Sequence, residues 1–177
     1  MSYITTYRKI KFDPINAKME DIDIVDIAHA LSLVCRANGH FSHFYSVAQH
    51  CINCANEAKA RGYSERVQLA CLLHDASEAY LSDITRPVKP FLKEYLAIED
   101  KLQHQIWEKW IESSLTEEEK KQVFQIDDAM LFYEFQNMMD VTLFPEEPEM
   151  ISNPEFAFVD FAEVERMFVE KFNAFRK

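Results

Sequence analysis

The stretch Leu72-Leu73-His74-Asp75-Ala76-Ser77-Glu78-Ala79-Tyr80-Leu81-Ser82-Asp83 places an imidazole and three carboxylates directly after an apolar run. A carboxylate carried into an apolar interior without a partner costs several kcal/mol, so such a group is expected to meet an arginine or a metal ion. On a helix, His74 and Asp75 lie about 100° apart, close enough to aim at one point, and Glu78 follows His74 by one turn on the same face. That pattern suits two metal ligands with a carboxylate beside a metal-bound water. His50, inward on the preceding helix, and Asp127, mid-helix on a face with Phe124, Met130 and Leu131, would be expensive in a plain core and sensible at a metal. Together His50, His74, Asp75 and Asp127 supply two nitrogens and two oxygens. On a six-coordinate divalent ion such as Mn, Fe, Co or Ni, this leaves positions open for water and a phosphate oxygen. Magnesium and zinc are admissible, although zinc prefers tetrahedral closure with more nitrogen or sulfur.

The elements that must bring these groups together are helical. From about Asp23 a helical period holds Ile24, Ile27, Ala28, Leu31, Val34 and Cys35 on one face, ending at Asn38-Gly39. A second helix starts at Ser46, with Gln49 completing a capping box, and stops before Gly62. A third, capped by Ser64, is expected to run through His74-Asp75 to about Leu81. Arg86-Pro87 interrupts helix, and Pro90 suits the first turn of a fourth helix reaching about Ile111. Thr116-x-x-Glu119 caps a fifth through Asp127, Glu134 and Met138. Residues 144–159 read as a loop. Asp160-x-x-Glu163 opens a last helix whose apolar side is Phe161, Val164, Phe168, Phe172 and Phe175. Weak alternation from Ile4 to Phe12 predicts a short N-terminal hairpin or extended arm. The expectation is one all-α domain over residues 1–177 of about six helices, its core at about 23–140 and its C-terminal helix at about 160–176.

Composition narrows the function further. The 177 residues carry a formal net charge of -11, which argues against an extended phosphate-backbone surface but not against one small anion at one site. Only two glycines occur, Gly39 and Gly62, which excludes a dinucleotide fold or a P-loop, since both need several at fixed spacing. There is no apolar run long enough to span a membrane and no signal-peptide pattern, so a soluble, cytoplasmic protein is expected. Cys35, Cys51, Cys54 and Cys71 fall in apolar helical contexts and are expected reduced and buried. Cys51-x-x-Cys54 sits inside a helix, where packing is expected in place of zinc or redox chemistry. His29, His40 and His43 read as structural or loop residues. Surplus apolar side chains over residues 156–175 are compatible with a homodimer.

The order His50 … His74-Asp75 … Asp127 resembles the HD-domain metal-dependent phosphohydrolases, an all-helical superfamily acting on phosphate esters. The likeness extends from Asp26-Ile-Ala-His-Ala-Leu-Ser32 through Tyr45-Ser-Val-Ala-Gln-His50 to Ile126-Asp127. It is carried most strongly by His-Asp-x-x-Glu-x4-Asp followed by Ile-Thr-Arg-Pro-Val-Lys89. The pattern is similar to the small bacterial and phage branch that includes the 5′-deoxynucleotidases. The resemblance implies that His50, His74, Asp75 and Asp127 hold one divalent metal ion. Asp127 is preferred to Asp128 because it precedes Met130, Leu131 and Glu134 by the family's spacing. It further implies that Glu78 and Asp83 orient or deprotonate the attacking water, and that Arg36 binds phosphate. Lys89, with Arg86, would add positive charge near the leaving group. The expected reaction is attack of metal-bound hydroxide on a phosphate monoester, a nucleoside 5′-monophosphate first among substrates. Ala37 stands where that branch commonly has a bulky aromatic, which leaves deoxyribose selectivity open. Only His104 is available as a further histidine between the His-Asp pair and Asp127, hence the expectation of a single ion. The competing expectation is a non-catalytic HD-like module that binds a nucleotide or a partner.

Overall fold

Residues 2–111 and 113–176 are described by a computed structural model. Among them are six α-helices of nine residues or more, one four-residue helical turn and a two-strand hairpin, an all-α domain. In the hairpin, β1 (Ile4–Thr5) runs antiparallel to β2 (Lys11–Phe12), with Ile4 opposite Phe12. Phe12 fastens it by burying its ring in a stack on Tyr80, centroids 3.9 Å apart.

The first helix, α1 (Ile24–Leu33), is capped by Asp23, which accepts from the N–H groups of Val25 and Asp26. It stops earlier than its sequence period suggests. Val34 and Cys35 are extended, and Cys35 bridges to Ser46 with Arg36 N–H donating to Tyr45 O at 2.9 Å. Ala37, Asn38 and Gly39 then take left-handed backbone, turning the chain back sharply. The result is that Arg36 points into the interior.

The central helix is α2 (Val47–Ala60), against which α1, α3, α6 and α7 all pack. Its buried face is built from small residues, Ala48, Cys51, Cys54, Ala55 and Ala58, so several neighbours can approach at once. It ends in a Schellman arrangement: Gly62 at φ 72 donates to Lys59 O, and Tyr63 N–H reaches Ala58 O. Ser46 caps α2 by accepting from Gln49 N–H, but the reciprocal half of the expected capping box is missing. The Gln49 amide instead donates to the Glu155 and Ala157 carbonyls.

That diversion belongs to a larger pattern. Gln49, Asn53 and Glu57 lie one turn apart and form a buried polar stripe along α2. Asn53 also holds Glu155 O, and the Glu57 carboxylate accepts from Ile151 and Ser152 N–H and from Arg61. The stretch read as a loop, 144–159, is therefore a strap held to one helix face by its backbone groups at Ile151, Ser152, Glu155 and Ala157. Past it, Asp160 caps α7 (Phe161–Ala174) through Ala162 N–H, and Val164, Phe168 and Phe172 enter the core. Phe161 is exposed, against expectation, and Glu163 pairs with Arg166 at 2.9 Å in place of closing a box.

The expected third helix is broken. α3 (Glu65–Leu73) ends at His74, a turn follows, and α4 spans only Glu78–Leu81 before Ser82 turns left-handed. The cause lies on α5 (Lys93–Trp110). The Gln103 side chain accepts from Ser77 N–H at 3.1 Å and donates to Leu73 O at 2.7 Å, occupying both groups that a continuous helix would join to each other. Pro90 sits in a 3-10 turn, Lys89–Phe91, so α5 begins three residues later than read. The long α6 (Glu117–Met139) opens with the full Thr116/Glu119 capping box. No described helix is long and apolar enough to cross a membrane.

Two outcomes follow from these contacts. Gln103→Leu leaves Ser77 N–H without its buried partner, while Leu73 C=O keeps only the Ala76 N–H at 3.1 Å, and should lower unfolding free energy by about 1–3 kcal/mol in urea titration. For Glu57, burial alone would push the carboxyl up, but hydrogen bonds from Ser152 and Arg61 hold it below the ordinary carboxylate range. A depressed folded-state value contributes stability above the unfolded value of about 4.3 and loses it as pH falls through the folded value. The stability gap between wild type and Glu57→Gln should therefore be widest near neutrality and close in acid, measured as denaturation midpoint against pH.

Candidate metal centre

Three elements converge on one buried point. His50 projects from the first turn of α2, just inside the Ser46 cap; His74 and Asp75 occupy the break after α3; Asp127 sits midway along α6. His50 Nε2 lies 3.1 Å from His74 Nε2 and 3.2 Å from Asp127 Oδ1. Asp75 Oδ2 is 3.4 Å from His74 Nε2 and 3.8 Å from His50 Nε2, and Asp127 Oδ1 is 3.6 Å from His74 Nε2. Ligand atoms about 2.1 Å from a common ion stand about 3.0 Å apart at right angles and about 3.4 Å apart at tetrahedral angles. The three shortest separations, 3.1, 3.2 and 3.4 Å, fall in that range, and those at 3.6 and 3.8 Å lie a few tenths of an ångström beyond it.

The other ring nitrogens fix how the imidazoles face. His74 Nδ1 lies 2.7 Å from Cys71 O, an acceptor only, so Nδ1 carries the proton. His50 Nδ1 lies 2.6 Å from the carboxylate of Glu134 and is likewise the donor. Neutral rings would therefore bring two lone pairs together at 3.1 Å inside the protein. Such an arrangement demands positive charge between the rings, from protons or from a metal ion, which compete for the same electron pairs.

The electrostatics express that demand. Burial would push the His74 imidazole down, but Asp75 overrides it and raises the group well above its usual value. His50 is pulled down by burial and by Arg36, yet Glu134 and Asp127 leave it raised. Burial disfavours charge on Asp127, and hydrogen bonds from His50 and His74 still hold it well below the carboxylate range. Two nitrogens, two carboxylate oxygens and excess negative charge fit a divalent cation of the Mn, Fe, Co or Ni type.

Other residues of interest surround this core. Glu78 is buried with Oε2 lacking a partner among the described residues, and Lys89 Nζ stands 3.7 Å from Oε1. Burial, then Asp75 and Asp83, push the Glu78 carboxyl well up; burial also raises Asp83. Glu78 lines a recess of about 390 Å³ together with residues that include His74, Asp75, Lys89, Glu99 and Trp107. Lys89 is anchored to Glu99 at 2.9 Å. Arg36, expected at phosphate, has Nη1 at 3.4 Å from Asp75 and Nη2 at 3.1 Å from Glu134, with only a tenth of its side chain exposed. Arg86 is open to solvent and spans Asp127 at 3.3 Å and Asp128 at 2.7 Å, so Asp128 points outward with it. His29 pairs with Glu165, His43 lies against Phe156 O, and exposed His104 meets Asp100.

Two features escaped the sequence reading. Glu134 was read only as part of a helix face, yet it follows Asp127 by seven residues, two turns along α6, and is fully buried beside His50. A charged residue recurring at that spacing among Val123, Ile126 and Met130 was the available signal. Cys51 and Cys54 are buried as expected, but they pack on the imidazoles themselves. Cys54 Sγ lies 3.5 Å from His50 Nε2, and Cys51 Sγ lies 3.9 Å from His74 Nδ1. His50, Cys54 and His74, and likewise Cys51, His74 and Asp75, thus bring ligand-type atoms within 4.8 Å of one another. Burial pushes both thiols up. The thiol-bearing sets and the carboxylate set are all candidate cation sites; the one formed by His50, His74, Asp75 and Asp127 carries two carboxylates, and the thiols lie along its inner side.

No family model matches the chain. Over 112 residues it is 42% identical to the uncharacterized protein YfdR of Escherichia coli K12, covering 62% of this chain and 59% of that protein. Over 98 residues it is 42% identical to an uncharacterized protein of Rhodobacter capsulatus, covering 52% of this chain and 50% of the relative. The chain thus spans little more than half the length of the curated relatives it matches.

His74→Ala or Asp127→Asn should weaken divalent-ion binding by at least about 100-fold in calorimetric titration, beyond the roughly 10–100-fold typical of losing an outer partner. Asp128→Asn should leave affinity within about threefold, since a rim carboxylate contributes little.

Proposed function

We propose that this chain is a metal-dependent phosphohydrolase of the HD-domain type that cleaves phosphate monoesters, with nucleoside 5′-monophosphates as the leading substrates. The observation that carries the proposal is the convergence of His50, His74, Asp75 and Asp127 around one point with the buried Glu78 carboxyl close by. A divalent ion in that set would acidify a bound water and polarise a phosphoryl oxygen.

The chain's own residues do the rest. Glu78, raised by burial and with an oxygen to spare, accepts the proton of the attacking water as the new P–O bond forms. Asp83 orients that water from the edge of the site. As the ester P–O bond breaks, the leaving alkoxide takes a proton from the carboxyl that has just gained one. Lys89, beside Glu78, and solvent-facing Arg86 offer donors to the phosphate oxygens. Arg36 adds positive field from beneath and reaches a phosphate only with N–H groups not given to Asp75 and Glu134. The recess between α4 and α5 accommodates the rest of the ester, with Trp107 supplying apolar surface. In this reading the enzyme works in the cytoplasm, where Cys35, Cys51, Cys54 and Cys71 remain thiols.

The test is phosphate release from a panel of nucleoside monophosphates by protein stripped of metal and reloaded with Mn, Co, Fe, Ni, Mg or Zn. Release with at least one ion is expected, and Glu78→Gln should cut kcat by roughly 10²–10⁴ while the ion is retained. Nucleotide binding without turnover under every ion would instead mark a binding module.

A further inference from the structure

We infer that Glu134 is a positioning residue: its carboxylate fixes His50 as an Nε2 ligand, and Arg36 ties it to the ligand Asp75. The inference rests on the metal-centre reading and assigns a role to a residue outside the ligand set.

Glu134 has no exposed surface. One of its oxygens stands 2.6 Å from His50 Nδ1 and the other 3.1 Å from Arg36 Nη2, so both are committed. Arg36 continues the circuit to Asp75 Oδ2 at 3.4 Å. A histidine that donates Nδ1–H to a carboxylate keeps its Nε2 pair free and its ring plane fixed, and the carboxylate makes that nitrogen more basic. Here the effect reaches two ligands, because one guanidinium joins the carboxylate that aims His50 to the carboxylate of Asp75. Burying Glu134 is tolerable only because Arg36 and His50 both meet it. His74 is oriented differently, by the Cys71 carbonyl, which carries no net charge. The two imidazoles are therefore unequal, with His50 the stronger donor.

Glu134→Gln and a control, Glu165→Gln, should be compared by Co(II) titration and by the Co(II) absorption spectrum. The control removes an equivalent imidazole–carboxylate pair, His29–Glu165 at 2.9 Å, on α1 and α7. Glu134→Gln should weaken Co(II) binding by roughly 10–100-fold and alter the spectrum, with partial recovery in Glu134→Asp, while the control stays within about twofold. A folded Glu134→Gln protein with unchanged affinity and spectrum would overturn the inference while leaving the metal centre intact. Should the variant fail to fold, nitrogen-15 spectra of zinc-loaded wild type decide: Nδ1–H with a metal-bound Nε2 on His50 is expected, and the opposite arrangement overturns it. Retention of no ion by wild type would remove the metal-centre reading and this inference with it.

Discussion

Two imidazole nitrogens held 3.1 Å apart, acceptor toward acceptor when the rings are neutral, at the inner end of a recess is the constraint on which the rest depends. Such an arrangement repels itself unless positive charge lies between the rings. The chain nevertheless enforces it from both sides, through Glu134 behind His50 and the Cys71 carbonyl behind His74. Asp75 and Asp127 then supply negative charge at the same point. A protein that invests this many buried polar groups in one spot has a cation as the natural beneficiary.

The architecture is arranged around that point. α2 offers one face to it, through His50, and a second to the strap, through Gln49, Asn53 and Glu57. The break between α3 and α4 is equally directed, because an unbroken helix would hold His74 and Asp75 in helical register with Glu78. Gln103 holds the break with its side-chain amide, so the placement of His74 and Asp75 is set from α5, an element that contributes no candidate ligand. The recess beside the cluster is lined by Lys89, and solvent-exposed Arg86 reaches Asp127. That distribution suits an anionic ester arriving from outside and meeting a water near Glu78.

Much of this was legible in the sequence because it is local. The Asp160, Ser64 and Thr116 caps and the Gly62 stop are short-range chemistry, and each marks a helix boundary in the structure; Arg86-Pro87 falls in a non-helical part of the connection between α4 and α5. The four ligand candidates were legible because charged and imidazole side chains stood out against apolar runs. What could not be read depends on partners distant in sequence. The Gln103 insertion acts across 26 residues, and the Glu155 carbonyl that captures Gln49 lies 106 residues away. Glu134 was visible as a charge in an apolar stripe, but its partner His50 is 84 residues distant, and only tertiary packing joins them. Arg36 was expected free for phosphate because nothing local showed that two buried carboxylates would meet its guanidinium.

X-ray absorption spectroscopy of the manganese- or cobalt-loaded protein tests the central claim most directly, since it reports the atoms around the ion independently of any substrate. The account predicts two imidazole rings among a shell of nitrogen and oxygen donors at about 2.0–2.2 Å. A shell containing sulfur at about 2.3 Å, or one without paired imidazoles, would contradict it.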